Sequence, residues 1–132
     1  MNGYNEYTNI TRQWLKRYND FHVTAVNLKK EVNEREKHFS QEGQIKRLKA
    51  DINEIELVLN KIDQALANLD DEAADILKER YIKKESCIKL ANKYHYSEPW
   101  IRKKSSKAIK QMTLIMFGMK ALPKHTSFVF AI

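Results

Sequence analysis

Basic side chains that could bind phosphate groups and read base edges cluster in one short stretch of the C-terminal third of the chain. Residues 102–110 contain five lysines and arginines among nine positions, namely Arg102, Lys103, Lys104, Lys107 and Lys110. Residues 97–132 hold seven basic residues and one acidic residue, so most of the net charge of +7 lies there. A one-sided basic surface is typical of proteins that bind nucleic-acid phosphates. The alternative is a solvated, lysine-rich helix face.

The pattern around these residues predicts two short helices joined by a tight turn. Ser86 and Ser97 stand where the N-cap of each helix is expected. Ala91 supplies a small side chain where the helices cross, and Ile101 follows ten residues later, where it would point into the angle between them. His95 occupies the turn, where we expect a left-handed backbone at a small energetic cost. The spacing therefore predicts a helix-turn-helix.

A helix of this kind that enters the major groove of DNA points the side chains of its first turns at the bases. The candidate base contacts are Ser97, Glu98, Pro99, Arg102, Lys103 and Ser106. Arg102 has the side chain best suited to bidentate reading of guanine, and Glu98 can accept a hydrogen bond from a cytosine amino group. The candidate phosphate contacts are Lys83, Lys84, Ser86, Lys104, Lys107 and Lys110. We expect Tyr94 and Tyr96 to pack in the core, whereas Trp100 either packs beside Ile101 or contacts DNA.

Two long helices, each with a narrow apolar seam, are predicted ahead of this segment. The first seam comprises Trp14, Tyr18, Phe21, Ala25, Leu28 and Val32. The second comprises Ile45, Leu48, Ile52, Ile55, Leu59, Ile62, Leu66 and Leu69. Alternating spacings of three and four, with a polar loop at residues 40–43 between the seams, predict an antiparallel coiled-coil hairpin. The same pattern fits pairing with a second copy of the chain, so a homo-oligomer is the open alternative.

The chain is accordingly predicted to be an all-α protein in three parts. Scarce glycine (3) and proline (2) favour helices over strands. Residues 1–69 form the coiled-coil hairpin, and residues 70–116 form the helix-turn-helix domain, whose acidic start should cap its first helix. Residues 117–132 form an apolar tail, for which packing on the hairpin, an intermolecular contact and disorder are the alternatives. We expect burial, because a free apolar end promotes aggregation.

No pattern in the sequence indicates catalysis, a metal or a cofactor. The four histidines are scattered, and a single cysteine leaves no zinc-binding spacing. The three glycines lie too far apart for a phosphate-binding loop, so we expect the protein not to be an enzyme. There is no apolar run of about eighteen residues and no signal peptide, so we expect no membrane association. The lone Cys87 fits a reducing compartment, which predicts a cytoplasmic protein.

The run from Leu69 to Met112 resembles region 4 of bacterial sigma-70-type factors, the domain that reads the promoter −35 element. The residues that carry the resemblance are LDDEAADILKERY and IKLANKYHYSEPWIRKKSSKAIKQM, with Ala91, Ser97 and Ile101 at the characteristic positions. The whole chain is similar to small phage-encoded transcriptional regulators of the ArpU and RinA type. The resemblance implies binding to double-stranded DNA and activation of a late phage or prophage operon, with host RNA polymerase as partner. The sigma regions that bind the −10 element and melt DNA are missing, so a complete sigma factor is not implied.

Two other functions fit the same pattern. A small terminase subunit also joins a helix-turn-helix to oligomerising helices, but it marks DNA for packaging and assembles into rings. A protein-interaction module would instead use the basic helix to bind an acidic partner, and it would show no salt-dependent DNA binding.

Overall fold

The computed structural model describes residues 3–38 and 42–121, and these ranges contain helices and no strand. The helices are α1 (Gly3–Lys16), α2 (Tyr18–Glu36), α3 (Glu42–Ala67), α4 (Asp71–Leu77), α5 (Cys87–Tyr94) and α6 (Glu98–Phe117). A π-helical turn (Lys78–Ile82) extends α4, and a 3-10 turn (Gly118–Ala121) follows α6. The prediction of an all-α protein is confirmed. Within these ranges no helix is both long enough and apolar enough to cross a bilayer.

Helices α2 and α3 pack against each other in antiparallel directions. Tyr18, at the start of α2, donates a hydrogen bond of 2.6 Å to Asp63 near the end of α3. Glu36, at the end of α2, pairs over 3.7 Å with Lys49 in the first half of α3. Six members of the predicted seams are buried along these helices: Ala25, Val32, Ile52, Leu59, Ile62 and Leu66. Ala65 of α3 is also buried, although it belongs to neither seam. Their assignment to a coiled coil stays a prediction.

The first predicted helix is broken at Arg17, where the backbone leaves the helical conformation (φ −101°, ψ 7°). The sequence carries no glycine or proline there, so the kink must be held by packing on either side. In α1, which precedes this break, Thr11 and Leu15 are buried although neither belongs to the predicted seam. Helix α1 packs against α6, the π-helical turn and the 3-10 turn. The helix therefore leaves the α2–α3 pair and joins the C-terminal helices.

The buried apolar residues form two clusters, and α6 contributes to both. The larger cluster is built from α1, the end of α3, α4 and the second half of α6, and it includes Leu15, Ile62, Leu66, Leu77, Ile109 and Met112. The smaller cluster fills the angle between α5 and α6: Ile76, Cys87, Leu90, Ala91 and Ile101. The predicted division at residue 69 stays a prediction. The larger cluster contains residues from both sides of it.

A buried polar contact joins α1 to α6. The hydroxyl oxygens of Thr11 and Thr113 lie 2.7 Å apart, and neither residue is exposed to solvent. Each hydroxyl also lies within hydrogen-bond distance of a carbonyl in its own helix, Tyr7 for Thr11 and Ile109 for Thr113. One hydroxyl can therefore donate to the other while the second donates to its own helix. Every proton is used, and the contact fixes the two helices relative to each other.

The expectations for the apolar tail mostly concern residues 122–132, which lie outside the described residues. Its first part is the 3-10 turn, and Ala121 at the end of this turn is buried.

Candidate nucleic-acid interface

Serine side chains cap the start of both α5 and α6, as predicted. The Ser86 hydroxyl accepts a hydrogen bond from the amide of Lys89 at 3.1 Å, and the Ser97 hydroxyl accepts one from the amide of Trp100 at 3.2 Å. Pro99 lies in the first turn of α6, where a missing amide hydrogen leaves no hydrogen bond broken. These local bonds define where each helix begins, and they place the first turn of α6 at the surface.

The turn between α5 and α6 is left-handed at His95 (φ 62°, ψ 37°), as predicted. The amides of His95 and Tyr96 both bond to the carbonyl of Ala91, which closes the turn tightly. Ala91 is 8% exposed, and Ile101 is fully buried in the angle between the helices. The small side chain and the large one thus occupy the places that two closely crossing helices require.

The first half of α6 presents a basic surface on the side opposite its buried side chains. Lys103, Lys107 and Lys110 are exposed, and their spacings of four and three place them on one face of the helix. None of the three has an ion-pair partner among the described residues. We call this surface, formed by Lys103, Lys107 and Lys110, the basic face. Its charges are available to an anionic partner.

The other residues with predicted base contacts flank the basic face. Ser97, Pro99 and Arg102 are exposed, whereas Glu98 and Ser106 are half-buried. Arg102 donates hydrogen bonds from Nε and Nη2 to a single oxygen of Glu98, at 3.1 and 2.7 Å. The hydrogen bond to Glu98, with its charge, raises the pKa of the Arg102 guanidinium. Glu98 and Arg102, which are both predicted base contacts, therefore bind each other in this structure.

Lys104 differs from its neighbours because it has a partner within the protein. Its ammonium group lies 3.1 Å from Asp70 Oδ2, and only 26% of its side chain is exposed. The other carboxylate oxygen of Asp70 accepts a hydrogen bond from the amide of Ala73 at 2.8 Å and caps α4. That backbone bond and the bond from Lys104 lower the pKa of Asp70. Lys104 thus ties α6 to the start of α4, and its predicted phosphate contact would have to break this pair.

The remaining candidate phosphate contacts precede α5. Lys83 and Lys84 are exposed in the connection that follows the π-helical turn, with Ser86 exposed at the N-cap of α5. Lys84 has a left-handed backbone (φ 60°), an uncommon conformation for a lysine. The connection holds both ammonium groups at the surface just ahead of the α5–α6 pair.

A buried carboxylate that the sequence did not single out locks the π-helical turn to the end of α5. Glu79 is 8% exposed, and it accepts hydrogen bonds from the ammonium group of Lys93 and, at 2.6 Å, from the hydroxyl of Tyr94. Burial raises the pKa of Glu79, but these two hydrogen bonds and the charge of Lys93 outweigh it, so its pKa is lowered. Burial and the Glu79 carboxylate raise the pKa of Tyr94. The partners lie fourteen and fifteen residues from Glu79, so no local sequence pattern indicates this site.

Two aromatic rings stack at the turn. The ring centroids of Tyr96 and Trp100 lie 3.7 Å apart with an interplanar angle of 19°. Trp100 and Tyr94 pack partly buried against the smaller cluster, whereas Tyr96 is 41% exposed. The expectation of core packing is therefore wrong for Tyr96, because its ring covers Trp100 from the solvent side.

A cleft with a mixed lining lies away from the basic face, between the α2–α3 pair and α4. Its volume is about 610 Å³, and its charged lining residues are Asp63, Asp71, Asp75, Lys78 and Lys83. Burial and the hydrogen bond to Asp63 raise the pKa of Tyr18, at its edge, to about 12. No group of three metal-ligating side chains occurs among the described residues, in this cleft or elsewhere. The basic face is thus the feature with the clearest chemical preference.

Comparisons of the chain with family models, curated proteins and solved structures find no match. The resemblance to sigma region 4 and to the phage regulators therefore depends on the sequence motifs alone.

Proposed function

We propose that this protein binds double-stranded DNA sequence-specifically and regulates transcription, as the activator of a phage or prophage late operon working with host RNA polymerase. The observation that carries the proposal is the basic face. It presents three lysines that form no ion pair within residues 3–38 and 42–121, on the outer side of a helix that is capped at its start and buried on its other side. A surface of this charge and shape suits the phosphates that line a groove of duplex DNA.

Helix α6 has the dimensions of a recognition helix. It contains 20 residues, which corresponds to a length of about 30 Å. In its first half, Ile101 packs in the smaller cluster. The major groove is about 12 Å wide and admits one α-helix. With the N-terminal turns in the groove, Arg102 and Lys103 face base edges while Lys107 and Lys110 approach phosphates. In this reading α5 and α6 form a sigma region 4-like helix-turn-helix.

The α2–α3 pair supplies the second surface of the proposed regulator. Four seam residues of this pair are half-buried: Leu28, Ile45, Leu48 and Ile55. A coiled-coil hairpin of this kind offers RNA polymerase or a second copy of the chain a place to bind beyond the DNA-binding helices.

The proposal is tested by duplex binding at several salt concentrations. Fluorescence anisotropy with a random-sequence duplex should give an affinity that falls steeply with salt, because bound lysines release counterions from phosphates. The double variant Lys107→Gln/Lys110→Gln should reduce the slope of log K against log[salt] by roughly two units. The double variant Lys30→Gln/Lys46→Gln is the matched control, since it removes two exposed lysines from α2 and α3. It should leave the slope unchanged.

Sequence specificity is tested by selecting sites from a random duplex library and mapping bound DNA in the host genome. Enrichment of one motif near promoters supports a transcriptional regulator. Enrichment at a packaging site, with a ring of many copies by light scattering, would replace it with the terminase function. Absence of salt-dependent duplex binding by the wild-type protein would overturn both.

A further inference from the structure

The carboxylate of Glu98 holds the Arg102 guanidinium by one edge. The contacting atoms are Nε and Nη2, and both reach the same carboxylate oxygen. These two nitrogens form the side edge of the guanidinium fork. The end edge, formed by Nη1 and the second hydrogen of Nη2, remains open, and 58% of the Arg102 side chain is exposed. The contact thus leaves one pair of donors available in a fixed direction.

The position of the pair on α6 fixes the side from which Glu98 reaches Arg102. Glu98 and Arg102 are one helical turn apart, and Ser106 follows after one more turn along the same edge of the helix. Going around the helix from the buried side, Glu98 comes first, Arg102 next, and the basic face after that. The carboxylate therefore approaches Arg102 from the side away from the basic face.

The same arrangement occurs a second time in the molecule, where the free edge has an acceptor. Arg35 in α2 donates from Nε and Nη2 to one oxygen of Glu31, at 3.2 and 3.0 Å, again with a spacing of four. Its Nη1 donates to the side-chain oxygen of Gln44 at the start of α3. A carboxylate on the side edge is therefore compatible with an acceptor on the end edge, which in the Arg35 case lies on another helix.

We propose that Glu98 is a positioning residue that orients Arg102 for end-on, bidentate reading of a guanine, rather than a reader of cytosine. The inference rests on the proposed DNA-binding function. Guanine presents O6 and N7 as paired acceptors in the major groove, which match the two donors of the free edge. Because Glu98 already restricts the arginine side chain, less rotamer freedom is lost when the guanine contact forms. The carboxylate remains on the side edge in the complex.

The test is a double-mutant cycle measured on the selected site and on its single-base variants. Arg102→Ala should reduce discrimination at one guanine by about 5- to 150-fold. Glu98→Ala should reduce discrimination at the same base pair by a smaller factor, about three- to tenfold. In the Arg102→Ala background, Glu98→Ala should have no further effect on that preference. Glu98→Gln, which keeps an acceptor oxygen, should retain most of it.

The control is Glu31→Ala, which removes the equivalent carboxylate from the Arg35 pair. It should leave every base preference unchanged. Loss of preference at a different base pair in Glu98→Ala would show that Glu98 reads a base itself and would overturn the inference. Uniformly tighter binding to all duplexes, with an unchanged profile, would show simple charge repulsion and would also overturn it. Absence of duplex binding by the wild-type protein would instead reject the proposed function.

Discussion

Lys104 and Lys107 carry the same charge on the same helix, but they have different surroundings. Lys104 is mostly buried along its side chain and paired with Asp70, which also caps α4. Lys107 is exposed, and no acidic group in the described ranges forms an ion pair with it. The sequence alone does not distinguish these two lysines. The ion pair with Asp70 assigns Lys104 to the packing of α4 on α6.

Substitution of each lysine by alanine should separate these roles. Lys104→Ala should lower the melting temperature, because α4 loses its tie to α6, and should leave the salt slope of duplex binding unchanged. Lys107→Ala should reduce that slope by about one unit and leave the melting temperature close to wild type. Thermal unfolding by circular dichroism and anisotropy titrations measure both. A reduced salt slope in Lys104→Ala would restore it as a phosphate contact.

Glu79 should make the stability of the fold depend on pH in the acid range. Its pKa is lowered in the folded protein, so its contribution is present above its ordinary pKa and is lost as pH falls through the lower, folded value. Glu79→Gln should cost about 1–3 kcal/mol of unfolding free energy at pH 7, because a charged acceptor of two hydrogen bonds is lost. The difference from wild type should shrink as the pH falls below the ordinary pKa of glutamate, about 4.3. Denaturant unfolding at several pH values measures it; a difference that is constant with pH would contradict the assignment.

The helix caps were predictable from the sequence, whereas contacts between residues distant in the chain were not. Ser86 and Ser97 cap their helices as predicted, since a cap bonds an amide three residues away. Glu79 and the pairing of Lys104 escaped prediction, because their partners lie between 14 and 34 residues away. The base and phosphate contacts stay predictions.

A buried polar contact helps to position α1 against α6. Its inner face carries two buried threonines, Thr8 and Thr11, beside the buried Leu15. The bond between the Thr11 and Thr113 hydroxyls specifies how α1 sits on α6, since a shift along the helix would leave both hydroxyls without each other.

A double-mutant cycle should measure this docking contact. Thr11→Val and Thr113→Val should each cost about 1 kcal/mol, the usual net value of a hydrogen bond, because valine keeps the shape and removes the hydroxyl. The double variant should cost less than the sum, with a coupling of about 1 kcal/mol, because no unpaired partner is left. Chemical denaturation of the four proteins gives the values. Strict additivity would mean that the two hydroxyls do not depend on each other.

The helix pattern of α2 and α3 was predictable, whereas the break before α2 was not. The alternating spacing of three and four predicts which side of α3 faces the core. The seam residues Ile52, Leu59 and Ile62 are buried as this pattern predicts. Arg17 interrupts the first helix without a glycine or proline. We attribute the break to the docking of α1 on α6. Because the inner face of α1 includes threonines, a pattern of apolar residues does not predict this docking.

At the scale of the whole molecule, the larger cluster crosses the predicted division at residue 69. Ile109 and Met112 of α6 belong to the same cluster as Leu15 of α1 and Ile62 of α3. A fragment of residues 70–132 would therefore expose apolar side chains that the full chain buries.

We expect the full chain to unfold in one cooperative thermal transition and this fragment to lack such a transition, because its core lacks the contributions of α1 and α3. A fragment of residues 1–69 should likewise be helical without a sharp transition. Calorimetry and near-ultraviolet circular dichroism of the fragments and the full chain measure the difference. A sharp transition of the 70–132 fragment near the melting temperature of the full chain would support independent domains divided at residue 69.

Helix α6 carries the basic face on one side and core residues of both clusters on the other. Insertion or deletion of a single residue within it would rotate everything beyond that point by about 100°, turning lysines inward and core residues outward. Length variation inside α6 is thus incompatible with the fold. Under the proposed function, exchange of side chains at the outward positions would change the bound DNA sequence without disturbing the core. The connections before α5 and between α2 and α3 are where changes in length can be tolerated.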